Sequence, residues 1–187
     1  MKGSGRTGCS FAGSSTCVLK MMFAFGNVIP RMYWARFATG GTFTDVADVA
    51  AAVREADIVS CATLASEPLI RGAWLKKGAH VDLVGGFTPK MREADDAAVK
   101  KARVYVDTRA GATKEAGDIV EPLKRKVIKD ADIRGDLFDL CRGIAKGRTS
   151  AAQITLFKSV GTAIEDLAAA MLVWRSMARE DKPKASG

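Results

Sequence analysis

Residues His80 to Glu93 read HVDLVGGFTPKMRE, an apolar-rich run that meets Gly85 and Gly86, then a Thr-Pro turn and a charged stretch. Two adjacent glycines in that place can let a flat ring or a phosphate reach bare backbone, because glycine has no Cβ and tolerates positive φ. In an open α/β sheet, ligands sit at the carboxyl ends of strands, which is where this pair falls. The same pair also suits a plain tight turn. His80 is the single histidine; it opens a strand after a Lys-Lys-Gly turn with no orienting carboxylate in view, so it reads as structural. Cys9, Cys17, Cys61 and Cys141 lack CxxC spacing, so no metal site is expected. They read as small hydrophobes of a reduced, cytoplasmic chain.

The surrounding elements must aim the glycine pair. From Thr44 the chain alternates helical and strand patterns. Thr44 or Asp45 is expected to cap a helix with Val46, Val49, Ala50 and Val53 inward, ending near Ala56. Ile58 to Ala62 does not alternate with polar residues, which predicts a strand buried on both faces. A helical turn over Leu69 to Leu75 and a strand over Val81 to Val84 follow. Next come an exposed helix over Arg92 to Lys101 and a strand over Arg103 to Asp107. Gly135 to Cys141 reads as a short helix, with Leu137, Phe138 and Leu140 in the core. Ile154 to Met177 reads as one long helix whose stripe includes Leu156, Val160, Ile164, Leu167 and Met171. The fold class expected is α/β: a Rossmann-like parallel sheet with helical crossovers, incomplete, with a long C-terminal helix.

At 187 residues the chain can bury one core. The net charge of +8 is uneven: residues 1–44 hold five bases and no acid, and the remainder carries 24 bases against 21 acids. That balance leaves no basic stripe, so a nucleic-acid partner is not expected. No run of eighteen apolar residues is present, so no membrane-spanning helix is expected either. Residues 17–29 lack the small-residue cleavage site of a signal peptide.

Five ordered strings carry a resemblance: ADIVSCAT from Ala56, HVDLVGGFTPKMREAD from His80, RVYVDTRAGATKEAGDI from Arg103, GRTS from Gly147, and ITLFKSVGTAIEDLAAA from Ile154. Over about Thr44 to Arg175 the chain resembles the ornithine cyclodeaminase and mu-crystallin family. The resemblance implies a Rossmann domain that binds NAD(P)H, joined to a dimerisation domain, with a homodimer as the full-length form. It implies that Thr63 contacts the cofactor, that Val84, Gly85 and Gly86 line the nicotinamide, and that Ser159 reaches it from the final helix. Val160 would border an imino or amino acid substrate, with Phe87 beside it. No protein side chain is assigned as catalytic, because the cofactor carries the hydride. Ornithine cyclodeaminases look like Gly-Gly-Asp here, and Phe87 cannot take a proton as that acid does. GGFTPKMRE is instead similar to the branch that reduces cyclic imino acids. Conversion of ornithine and ligand carriage without turnover are the alternatives.

The family's glycine-rich fingerprint should lie just before Thr44, yet Gly3, Gly5 and Gly8 follow no apolar strand. Five of the eight Phe and four of the seven Met also fall by residue 43. Residues 1–43 therefore read as aberrant or disordered, as translation out of frame over 1–42 would make them. The expected organisation is then a partial Rossmann domain over 44–153, a helix over 154–178 returning to a dimerisation domain, and a disordered tail over 179–187. The chain is expected to be a truncated member of the family.

Overall fold

The computed structural model describes the backbone of residues 19–26, 31–37 and 42–180, and the side chains of residues 46–177. Its strands are β1 (Leu19–Gly26), β2 (Arg31–Phe37), β3 (Thr42–Asp45), β4 (Ile58–Thr63), β5 (His80–Leu83), β6 (Arg103–Val106), β7 (Ile133–Asp136) and β8 (Thr155–Lys158). They form one sheet in the order β3-β2-β1-β4-β5-β8-β6-β7. From β4 to β7 every pairing is parallel, as a Rossmann-like α/β fold requires. β1 also runs parallel to β4, but β2 and β3 return antiparallel. The N-terminal part expected to be aberrant or disordered thus contributes two strands and the start of a third. Gly3, Gly5, Gly8 and the tail from Lys182 lie outside the described residues.

The helices are α1 (Val49–Glu55), α2 (Asp96–Lys101), α3 (Arg109–Glu115), α4 (Gly117–Lys124), α5 (Leu137–Cys141) and α6 (Ala163–Glu180). Asp48, Asp95, Thr108 and Asp136 start four of them by accepting a backbone N–H in the first turn. The first helix therefore begins at Asp48; Thr44 and Asp45, the expected caps, belong to β3. The turn over 72–74 does not extend into a helix, and Arg92 to Glu93 is loop ahead of α2. Ala98 and Val99 are buried, so α2 has an inward face and is not the exposed helix expected.

One sheet face is the core. Val59, Cys61, Val81, Leu83, Leu156, Val104 and Val106 line it, and Ile70, Val99, Ala112 and Ile119 pack over them. Burial along β4 alternates, so Ile58, Ser60 and Ala62 are only half-buried and the strand is not covered equally on both sides. The apolar Ile-Val and Cys-Ala pairs hid that period in the sequence.

Two further expectations fail in instructive ways. Thr155–Lys158 is not the start of the long helix but the strand β8, inserted between β5 and β6. Gly161, at φ +85°, breaks the chain before α6 begins at Ala163. Likewise Ile133–Asp136 is the strand β7, and the helix expected from Gly135 starts at Leu137. Phe138 is 44% exposed, not a core residue.

Candidate functional site at the strand ends

Parallel pairing brings the carboxyl ends of β4, β5 and β8 to one edge. Cys61 pairs with Leu83 and Leu83 with Lys158, so Thr63, Val84 and Ser159 follow at neighbouring levels. The Val84 N–H donates to the Cys61 carbonyl at 2.8 Å, and the Ser159 N–H to the Leu83 carbonyl at 3.0 Å. Beyond these bonds the ladders stop. The next backbone donors need acceptors from elsewhere.

Two buried carboxylates supply them. Glu93 Oε1 accepts from the Thr63 N–H at 2.7 Å and the Thr63 Oγ1 at 2.9 Å. Its Oε2 accepts from the Gly85 and Gly86 N–H groups at 3.0 and 3.2 Å. Asp107 treats the other loop alike: its Oδ2 accepts from Ser159 Oγ and from the Val160 and Gly161 N–H groups at 3.0, 2.7 and 2.8 Å. Glu93 thus joins Thr63, Gly85 and Gly86, while Asp107 holds Ser159 and Val160. Ser159 lies in the loop after β8, not in the final helix as expected.

Beneath Glu93 lies a second layer of charge. Asp118, in the first turn of α4, accepts from the Glu93 and Ala94 N–H groups at 2.9 and 3.0 Å. Lys158 Nζ stands 3.6 Å from Glu93 Oε2 and 3.5 Å from Asp118 Oδ2, and all three side chains are fully buried. Arg92 Nε is 3.8 Å from Asp118 Oδ1. Burial pushes the Glu93 carboxyl above its ordinary value, against the lowering effect of the Thr63 N–H and the Lys158 charge. The Cys61 thiol, buried beside these carboxylates, is pushed well up and stays protonated. None of Glu93, Asp107, Asp118 or Lys158 was singled out by sequence. The available signal was a charged residue ending an apolar strand, as in RVYVD and TLFK.

The glycines serve a different purpose from the one expected. Neither takes a positive φ; among the described glycines only Gly78, Gly143 and Gly161 do. A Cβ on Gly85 would run into the backbone N and O of Thr63, and one on Gly86 would sit 3.2 Å from Asp118 Oδ2. Both residues are therefore small so that the turn can close on its own protein. The outer surface of the turn is instead made by Val84 and Phe87, which are 45% and 49% exposed. Leu64 beyond β4 is exposed as well.

The edge therefore presents Leu64, Val84 and Phe87 as exposed apolar surface, with Ser159 half-buried, while Thr63 is 1% exposed and lies beneath it. Among the described residues the pyrophosphate half of a dinucleotide finds no matching place. In a Rossmann domain a helix follows the strand beside β4 and points its N-terminus at the phosphates. Here β1 takes that position, and the next described element in the chain is β2, paired antiparallel with it. An apolar hollow of about 220 Å³ lies nearby, lined by Asp107, Thr108, Phe138, Cys141 and Ile164 among others, but not by the glycine pair. Among the described residues no group of three or more His, Cys, Asp or Glu is placed to hold a metal, and no helix is long and apolar enough to cross a membrane.

Comparison with known proteins agrees with this geometry. Residues 34–181 match the model of the ornithine cyclodeaminase/mu-crystallin family, a span that leaves β1 outside. The chain is 45% identical over 133 residues to the Delta(1)-pyrroline-2-carboxylate reductase of Paracoccus denitrificans, covering 71% of this chain and 42% of that protein. It is 41% identical to the ketimine reductase mu-crystallin of Rattus norvegicus, over 67% of this chain and 37% of the relative. The structure of Thermococcus litoralis Delta(1)-pyrroline-2-carboxylate reductase in complex with NADH and L-proline superposes with a TM-score of 0.69 at 38% identity, covering 72% and 42% of the two chains. The chain therefore spans well under half the length of these relatives. The family model matches most of the chain, and on that ground the chain belongs to the ornithine cyclodeaminase/mu-crystallin family.

Proposed function

We propose that this chain carries the nicotinamide- and substrate-facing part of an NAD(P)H-dependent reductase of cyclic imino acids, of the Δ1-pyrroline-2-carboxylate and Δ1-piperideine-2-carboxylate type. The observation that carries the reading is Phe87, exposed at the outer corner of the glycine turn with Val84. A reduced nicotinamide, when bound, supplies a hydride to an imine carbon. The chain's own residues would do the rest. Val84 and Phe87 would exclude water from one side of the ring. Ser159, locked by the buried Asp107, would fix its edge, with Thr63 held beneath by Glu93, and Val160 would border the substrate. Phe87 offers no proton acceptor, which disfavours ornithine cyclisation with loss of ammonia. The full-length form would be a homodimer in the cytoplasm, where Cys61 and Cys141 stay free thiols.

Mixing the purified chain with NADPH and Δ1-pyrroline-2-carboxylate and following the nicotinamide absorbance tests this. Turnover supports the reading; absence of both turnover and cofactor binding defeats it. A second reading, a ligand-binding protein without turnover, is favoured by β2, which pairs antiparallel with β1 in an otherwise parallel neighbourhood. It predicts saturable binding of a reduced nicotinamide and no change in its absorbance with any imine.

A further inference from the structure

The charged cluster under the glycine turn has a cost that stability alone does not explain. Burying a carboxylate and an ammonium away from water is unfavourable, and apolar residues of similar volume commonly stabilise a core as well or better. Glu93 nevertheless places its carboxylate where Thr63, Gly85 and Gly86 run out of ladder partners. Those donors come from two different strand ends, 30, 8 and 7 residues away along the chain. No backbone carbonyl serves both ends, so one side chain holds two loops in a common register.

Lys158 acts differently. Its Nζ makes no hydrogen bond, and its distances of 3.6 and 3.5 Å to the two carboxylates are those of a charge, not of a directed donor. Without it, Glu93 and Asp118 would be neighbouring buried acids, and one would take up a proton. A protonated Glu93 could not accept from four donors. Around Glu93 stand Lys158 from β8, Asp118 from α4, Thr63 and the neutral Cys61 from β4, and Arg92 on its own segment. A Cβ on Gly86 would lie 3.4 Å from Lys158 Nζ, so the turn rests on this cluster.

We infer that Glu93 and Lys158 are positioning residues that lock Thr63, Gly85 and Gly86 in one fixed frame beneath the exposed Val84 and Phe87, so that these two present a preformed surface to the nicotinamide ring. The inference rests on the proposed reading only for the identity of the ring. Its test is therefore built on two separate readouts, amide hydrogen exchange of the ligand-free chain and titration with NADH followed by nicotinamide fluorescence.

The variants are Glu93→Gln, Lys158→Met and the double variant Glu93→Gln/Lys158→Met. In Glu93→Gln, exchange at Thr63, Gly85 and Gly86 rises about tenfold or more, the loss of hydrogen bonds to a charged acceptor. Exchange at Val81 and Leu156 stays within about twofold once matched for global stability, and NADH affinity falls about tenfold. The double variant removes one charge of each sign, so it recovers the melting temperature lost in Lys158→Met while the local exchange and the weakened binding persist. If Lys158→Met does not fold, the other two variants decide the matter. A uniform rise in exchange across the core overturns the inference, as does a double variant that regains slow exchange at the turn. If the unaltered chain binds no NADH, the proposed function falls, and the exchange pattern still judges the positioning role.

Discussion

At the ends of β4, β5 and β8, three fully buried charged side chains sit inside an apolar core; along α6, seven large apolar side chains sit in solvent. Glu93, Asp118 and Lys158 are tolerated where they are because each finds opposite charge or backbone donors within the same chain. Ile164, Leu167, Met171, Leu172, Val173, Trp174 and Met177 find no cover among the described residues. The contrast separates a region whose polar and apolar needs are met internally from one whose apolar surface is not. It also predicts how differently the two respond to change.

The largest effect belongs to Lys158→Met alone, which strands two buried acids and is expected to cost about 3–5 kcal/mol in urea unfolding. An unchanged midpoint would break the comparison at its first term. Leu156→Ala, in the central strand beside Lys158, should cost about 2–5 kcal/mol, while Leu172→Ala on α6 should cost under about 0.5 kcal/mol. Equal losses at the two leucines would show that α6 is packed in solution after all. Asp107→Asn should cost about 1–3 kcal/mol, and should speed amide exchange at Val160 and Gly161 more than at Val104.

Replacing Leu172 and Trp174 together by Ser should leave the melting temperature nearly unchanged and reduce self-association measured by light scattering, because a broad apolar patch is removed. The smallest effect concerns His80. Burial lowers its proton affinity from the ordinary value of 6.5, with Arg148 adding to this and Asp82 opposing it. Around and below that value the unfolded chain binds the proton better than the folded one, so stability falls as pH drops through 6.5. His80→Gln should flatten this part of the profile, and an identical slope in the variant would remove the histidine from the account.

Much of the sheet was legible because β4, β5 and β6 are short apolar runs bounded by turn residues and helix caps. β8 was not, since Leu156, Val160, Ile164 and Leu167 continue a helical spacing straight through a strand and a loop. Only the positive φ at Gly161 separates them, and a single glycine does not announce its dihedral. β7 was masked by Gly135 in its interior.

At the site, the glycine pair and Thr63 were readable as strand-end residues. The carboxylates that hold them were not. Glu93, Asp118 and Lys158 are separated by 25 and 40 positions, and no local pattern says that an acid after a Pro turn and a base ending an apolar strand will meet. The glycines also misled, since their missing Cβ atoms make room for Thr63 and Asp118, not for a ligand.

The proposed edge would receive a nicotinamide ring with no cradle for the pyrophosphate among the described residues. Parallel titrations with NADH and with reduced nicotinamide mononucleotide, followed by nicotinamide fluorescence, test it most directly. The account predicts saturable binding of both with affinities within about threefold, and loss of both in Val84→Arg at an unchanged melting temperature. Binding of neither, or a dinucleotide held a hundredfold more tightly than the mononucleotide, would contradict it.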